Sequence, residues 1–375
     1  MITKEMLTNY DYSLYKNQIQ LKQFGLYGQQ SLFHKKFACI GLGGLGTPLT
    51  THLASSGIIH LGIIDFDFVE KSNLHRQFLF SYNDIGEKKI NVVKNNLLKI
   101  NNRMKIESYF EKINPENINN ILSDYEIIID CTDNFQTNFL LNDYCVRNNK
   151  ILVYGSVSGF TASISLIHSE WGGCLRCIYP SMPLHYKANC QELGVFSGFC
   201  GVVAAIQANQ AIFSALGKKH CTDNRIELLT NKLLKIDFTD HSFISYQYEK
   251  LKNCKVCSTN EEINYDYFYK NDNYCQNNSN YFEIKREDIS SLDDYLLLDV
   301  RDESEYKINN IKNSINVPLY KLSNNPYFNE ITKSKNIIIY CQGDLRSKKA
   351  AKIIESMGFN NIYRVINGLS SFDED

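Results

Sequence analysis

Residues 37–66 read FACIGLGGLGTPLTTHLASSGIIHLGIIDF. A short apolar strand runs into Gly41, Gly43 and Gly46 in the order G-x-G-x-x-G, with Gly44 in one of the variable places, then a helical stretch and a second strand. Glycines there allow a tight turn and bring backbone amides close to a phosphate at a helix N-terminus. Asp65 ends the second strand about 20 residues beyond Gly46, placed to accept hydrogen bonds from a ribose. To this point NAD and ATP are equally served, and a ligand-free tight turn stays open.

The residues that follow distinguish the nucleotides. Asp67, Ser72, Asn73, Arg76 and Gln77 give polar and cationic reach past the second strand, and Lys89 lies near the start of the next helix. An arginine and a lysine converging on one pocket suit a triphosphate, because cationic clamps stabilise charge developing at phosphorus. Asp133, in DCTDNFQTN at residues 130–138, follows an apolar strand at the carboxyl edge of the sheet, where ligands of open α/β sheets bind. A carboxylate among cations can hold Mg2+ on phosphates. Taken singly, each of these residues reads better as a surface ion pair or a helix cap, but their joint occurrence in this order argues against that reading.

Further apolar runs at 126–131 and 151–154 alternate with helical patterns, which predicts a mostly parallel sheet with helices on both faces. A chain of 375 residues exceeds a single core. Residues 258–281, STNEEINYDYFYKNDNYCQNNSNY, read as an Asn-rich linker, and a second, smaller α/β pattern follows. The expected domains are 1–258, a linker over 259–280, and 281–375. The net charge of −1 offers no attraction for nucleic acid or anionic lipid, and no uninterrupted apolar run approaches the roughly 20 residues a bilayer takes. The expectation is a cytoplasmic protein.

Cys174 and Cys177 form one C-x-x-C and Cys254 and Cys257 another, the usual four-thiolate set of a structural Zn2+, with a redox role for either pair as the competing reading. Cys190 lies in a polar loop before a helix, where a thiol can become a nucleophile or stay inert. Cys39, Cys131, Cys145 and Cys200 sit in apolar segments and read as core. In NIIIYCQGDLRSKKAAKII, Cys341 follows a strand and precedes a loop with Gly343 and Arg346 and then a helix, an arrangement that stabilises negative charge on sulfur.

CIGLGGLGTPL, IIDFDFVEKSNLHRQ, DCTDNFQTN, CLRC and GVFSGFCGVVAAIQANQAI together resemble the ThiF/MoeB branch of the ubiquitin-activating-enzyme-like superfamily over roughly residues 10–258. The resemblance implies a Rossmann-like fold, ATP-dependent adenylation of the terminal glycine of a small ubiquitin-like sulfur carrier ending in Gly-Gly, and a homodimer. It places Gly44, Asp65, Ser72, Asn73, Arg76, Lys89, Asp133 and Asn134 at ATP, with Arg76 and Lys89 on phosphate oxygens and Asp133 on Mg2+. It supports zinc at the four cysteines, and it implies a disulfide-type link at Cys190 during sulfur transfer. LLLDVRDESEY, the Cys341 segment and YRVINGL resemble rhodanese domains over 281–375, implying that Cys341 accepts sulfane sulfur from a donor such as a cysteine desulfurase. The chain departs from the family at Asn17 and Asn138, where arginines are usual, and at Asn310, where His is frequent; Lys16 neighbours the first. The resulting expectation is a carrier adenylyltransferase and sulfurtransferase, leaning towards thiamine biosynthesis, with molybdopterin or tRNA thiolation as other destinations. A nicotinamide oxidoreductase and a non-adenylating carrier-binding protein with only rhodanese activity are the alternatives.

Overall fold

A computed structural model describes residues 7–180, 194–259, 281–292, 294–324, 326, 328, 335–343, 345–366 and 368–369. The chain divides into two units, Met1–Tyr269 and Lys270–Asp375. The expected linker over 259–280 lies, apart from its first residue, outside the described residues.

In the first unit the α-helices are α1 (Asn9–Ile19), α2 (Gly25–His34), α3 (Gly46–Ser55), α4 (Lys89–Ile100), α5 (Ile118–Leu122), α6 (Phe135–Arg147), α7 (Leu175–Ile178), α8 (Ser197–Ala215) and α9 (Lys218–Asp223). The strands are β1 (Lys36–Ile40), β2 (His60–Ile64), β3 (Lys105–Tyr109), β4 (Ile127–Asp130), β5 (Ile151–Ser158), β6 (Thr161–Ile167), β7 (Lys232–Asp237) and β8 (Ser242–Gln247). They form one eight-stranded sheet in the order β3-β2-β1-β4-β5-β6-β7-β8. The first five pair in parallel, and β5 to β8 pair antiparallel.

Both faces of this sheet are covered, as parallel sheets require. Cys39, Val153, Ile164 and Ile236 pack on one side with Leu49 and Leu53 of α3 and Val203 and Ala204 of α8. Ile128, Leu152 and Tyr154 pack on the other with Ile121 of α5 and Phe139 and Leu140 of α6. Although α8 is long and apolar enough to cross a membrane, it packs as a core helix against this sheet. The reversal of strand order between β1 and β4 opens a crevice at their carboxyl ends, the usual ligand position in such folds.

The second unit is a five-stranded parallel sheet, ordered β11-β10-β12-β13-β9. Its strands are β9 (Tyr281–Ile284), β10 (Tyr295–Asp299), β11 (Ile315–Asn316), β12 (Asn336–Tyr340) and β13 (Ile362–Val365), with the helix Leu345–Ser356 following β12. Leu298, Ile337, Ile339, Ala350, Ile354 and Phe359 form its core. A mixed α/β chain of two unequal sheets is the fold class that the alternation of strands and helices predicted.

Candidate active sites and metal knuckle

The turn after β1 is tight enough to demand glycine. Gly41 has φ of +87°, and a Cβ there would lie 2.8 Å from the carbonyl of Cys131. A Cβ on Gly46 would fall 1.9 Å from the Gly41 carbonyl, so α3 starts flush against the turn. Gly41, Gly43 and Gly44 line a cavity of about 670 Å³, shared with Asp65, Asp67, Asn73, Arg76, Gln77, Lys89, Asp133, Asn134 and Asn138. Gly46 and Ser72 do not line it. Gly46 is spent on packing, and the Ser72 carbonyl instead accepts from Arg76 Nη1 at 2.8 Å.

Asp65 accepts the Leu42 amide on Oδ2 at 2.6 Å and the Asp67 amide on Oδ1 at 2.7 Å, which fixes its carboxylate at the end of β2. Burial pushes its carboxyl up, while Lys89 and those two amides act the other way. Each oxygen keeps a lone pair for a ribose hydroxyl. Lys89 Nζ, on an almost fully buried side chain, pairs with Asp67 Oδ2 at 2.9 Å. The ammonium therefore enters the cavity held by one carboxylate. Gln77 is 2% exposed and its Oε1 has no hydrogen-bond partner among the described residues, an orphaned acceptor in the cavity wall that a bound ligand would satisfy. Together, the glycine cradle, the fixed carboxylate and the orphaned amide fit a nucleotide.

Asp133 is exposed at the cavity wall, and Asn134 caps α6 by accepting the Thr137 amide at 2.9 Å. Behind them Asp130, fully buried, accepts from the Thr132 amide at 3.0 Å, Thr132 Oγ1 at 2.7 Å and Asn138 Nδ2 at 2.8 Å. Asn138 thus serves as a clamp on the Asp130–Thr132 turn that presents Asp133. Burial pushes the Asp130 carboxyl up to about 6 against these hydrogen bonds. Asn17 and Lys16 are exposed on α1 and do not line the cavity of their own chain.

Pattern reading of the sequence missed part of the cavity. Tyr154, Ser156, Ser158, Thr161, Ser163 and Lys235 line it from β5, β6 and β7. The alternating polar residues of YGSVSGFTASIS were the available signal. Cys131 and Cys200 also line it while remaining buried, and burial pushes the Cys200 thiol up to about 11, away from the thiolate.

The four cysteines of the two C-x-x-C pairs converge, their sulfurs all within 4.8 Å of one another. Cys174 and Cys254 sulfurs lie 3.6 Å apart, and Cys177 and Cys257 sulfurs 3.4 Å. A tetrahedron of thiolates at about 2.3 Å from Zn2+ has sulfurs just under 4 Å apart, so the donor set fits that ion. Cys190 lies outside the described residues.

In the second unit Cys341 is buried directly after β12, with Sγ 3.1 Å from the Gly343 carbonyl and 3.6 Å from Ser347 Oγ in the first turn of the next helix. Arg346 donates to Glu305 Oε1 at 2.8 Å, and Arg301, buried against Asp299, reaches Gln342 Oε1 beside the cysteine at 3.2 Å. The loop is thus braced by two guanidinium groups. Asn310 is exposed and donates to the Tyr306 carbonyl at 3.0 Å.

Residues 15–258 match the ThiF family and residues 285–375 the rhodanese-like domain. The chain is 32% identical over 387 aligned residues to the adenylyltransferase and sulfurtransferase MOCS3 of Drosophila persimilis, covering 98% of this chain and 84% of that one. It is 30% identical over 364 to a probable molybdopterin-synthase adenylyltransferase of Porphyra purpurea, covering 96% and 93%. Among solved structures, E. coli MccB with ATP is similar at a TM-score of 0.57 and 25% identity, covering 68% of this chain and 76% of that one.

Proposed function

We propose, from the premise that this chain belongs to the ThiF family and carries a rhodanese-like domain, that it adenylates the terminal glycine of a ubiquitin-like sulfur carrier and then replaces the adenylate with sulfur. The observation that carries this reading is one cavity gathering the glycine turn, Asp65, Arg76, Lys89 and Asp133 in a chain whose second unit holds Cys341.

Asp65 would hold the ribose, the amides of the glycine turn the phosphates, and Arg76 and Lys89 the charge that grows on departing pyrophosphate. Asp133, exposed at the wall, is the candidate for Mg2+, which would neutralise phosphate charge. A carboxylate oxygen of the carrier attacks the α-phosphorus, the bond to the bridging oxygen breaks, and pyrophosphate leaves. Carboxylate needs no deprotonation, so the protein contributes position and electrostatics rather than a base.

The Cys341 persulfide, loaded from a sulfane donor such as a cysteine desulfurase, then attacks the acyl carbon with its outer sulfur and expels AMP. A second thiol attacks the Cys341 sulfur, releasing the thiocarboxylate and leaving a disulfide that a reductant reopens; the sequence offers Cys190 for this role. The relatives' names favour a molybdopterin-synthase-type carrier, and the thiamine lean finds no support in them. That Lys89, Arg76 and Asp133 share a cavity weighs against a protein that has lost adenylation. The four cysteines are assigned to structural Zn2+, and the enzyme is assigned to the cytoplasm as a homodimer.

Wild-type protein incubated with ATP, Mg2+, thiosulfate, a thiol reductant and a carrier ending in Gly-Gly is expected to yield carrier thiocarboxylate by mass spectrometry. Cys341→Ala is expected to stop at the adenylate. Thiocarboxylate formed equally well by Cys341→Ala would remove the rhodanese unit from the reaction.

A further inference from the structure

The cavity continues past the nucleotide residues onto the antiparallel half of the sheet. Register places Ser156 opposite Ser163 and Ser163 opposite Lys235, and directly opposed residues share a sheet face. Asp130 pairs with Tyr154, so this row starts level with Thr132, beside Asp133, and runs outward over β5, β6 and β7. The Ser158 hydroxyl in the same trough is buried and has no partner among the described residues.

Lys235 is the cation at the far end of the row. It is partly buried, burial pushes its ammonium down, and among the described residues it makes no ion pair. A lysine partly withdrawn from water without an internal counter-ion is suited to meeting an anion that arrives with a ligand. The nucleotide is too far away to supply it. Strands are about 4.8 Å apart, so β7 stands roughly 19 Å from β1, whose turn takes the phosphates.

Counted from the end of β4, Lys235 stands three strand spacings away, roughly 14 Å. An extended peptide advances about 3.3 Å per residue. A tail with its terminal carboxylate at the α-phosphate, beside the end of β4, therefore passes the lysine about four residues before its end. Resting on the adenylation reading above, we propose that Lys235 is a specificity-determining residue that pairs with an acidic side chain about four residues upstream of the carrier's terminal glycine.

The test uses two carriers ending in Gly-Gly that differ only in Glu or Lys at that upstream position, with kcat and KM read from ATP–pyrophosphate exchange. Wild type and Lys235→Arg are expected to favour the Glu tail by about 10-fold in kcat/KM, expressed in KM. Lys235→Met is expected to lose the preference and Lys235→Glu to reverse it. An identical preference in wild type and Lys235→Glu, or no preference in wild type, would overturn the assignment. Should Lys235→Glu be inactive on both tails, Lys235→Met decides: a preference it retains also overturns the assignment. Wild type that exchanges with neither carrier fails the adenylation reading itself, and the role of Lys235 falls with it.

Discussion

Arg176 donates from Nε and Nη2 to the two carboxylate oxygens of Asp143 at 2.8 and 2.6 Å, both side chains buried. Arg176 stands between two cysteines of the four-cysteine cluster, and Asp143 lies on α6, whose first turn borders the nucleotide cavity. Asn142 adds a second tie, accepting the Leu175 amide at 2.8 Å. The cluster and the wall of the adenylation site are thus one hydrogen-bonded piece.

Arg176→Met leaves Asp143 buried without its counter-ion. Breaking a buried pair on one side costs about 3–5 kcal/mol, and burial already pushes the Asp143 carboxyl up against the pull of Arg176. Thermal unfolding is expected to show a matching loss of stability. A melting curve superimposable on wild type would mean the pair contributes nothing.

Metal removal is expected to loosen the same region. Cys254→Ser, or a strong chelator, should release about one equivalent of zinc per chain, lower the melting temperature and weaken ATP binding through α6. Purified protein holding no metal, with a melting temperature indifferent to chelator, would refute the zinc assignment.

Asp130 gives the protein a pH signature. Its folded carboxyl at about 6 stands above the ordinary value near 3.9, so the folded state binds the proton more tightly than the unfolded chain. Its contribution to stability is complete below about pH 4 and is lost as pH rises to about 6, a swing of roughly 3 kcal/mol. Asp130→Asn cannot titrate. The stability of wild type relative to this variant should therefore rise as pH falls from 6 to 4, and a difference that stays flat over that range would place the proton elsewhere.

The parts of the site legible in the sequence are those bound to local geometry. Gly41, Gly43 and Asp65 are fixed by one strand-turn-helix-strand unit, so their spacing alone carries them into the cavity. The four cysteines were legible because two C-x-x-C pairs are the usual ligand set of a structural zinc, and the fold brings their sulfurs together. Lys235 was not, because it reaches the cavity through the pairing of β7 with β6, a contact between residues 72 positions apart that no local pattern encodes. Asn138 shows the opposite limit. Counted as a missing cation, it proves to be the buried donor that shapes the Asp133 turn, and only the fold shows that Asp130 lies within its reach.

The most direct measurement is ATP–pyrophosphate exchange over a panel of carriers ending in Gly-Gly, comparing wild type with Asp133→Ala. Exchange is expected with at least one carrier, none without carrier, and a fall of about 100-fold or more in Asp133→Ala. Wild-type protein that binds ATP yet exchanges with no carrier, or an Asp133→Ala variant as active as wild type, would contradict adenylation at this site.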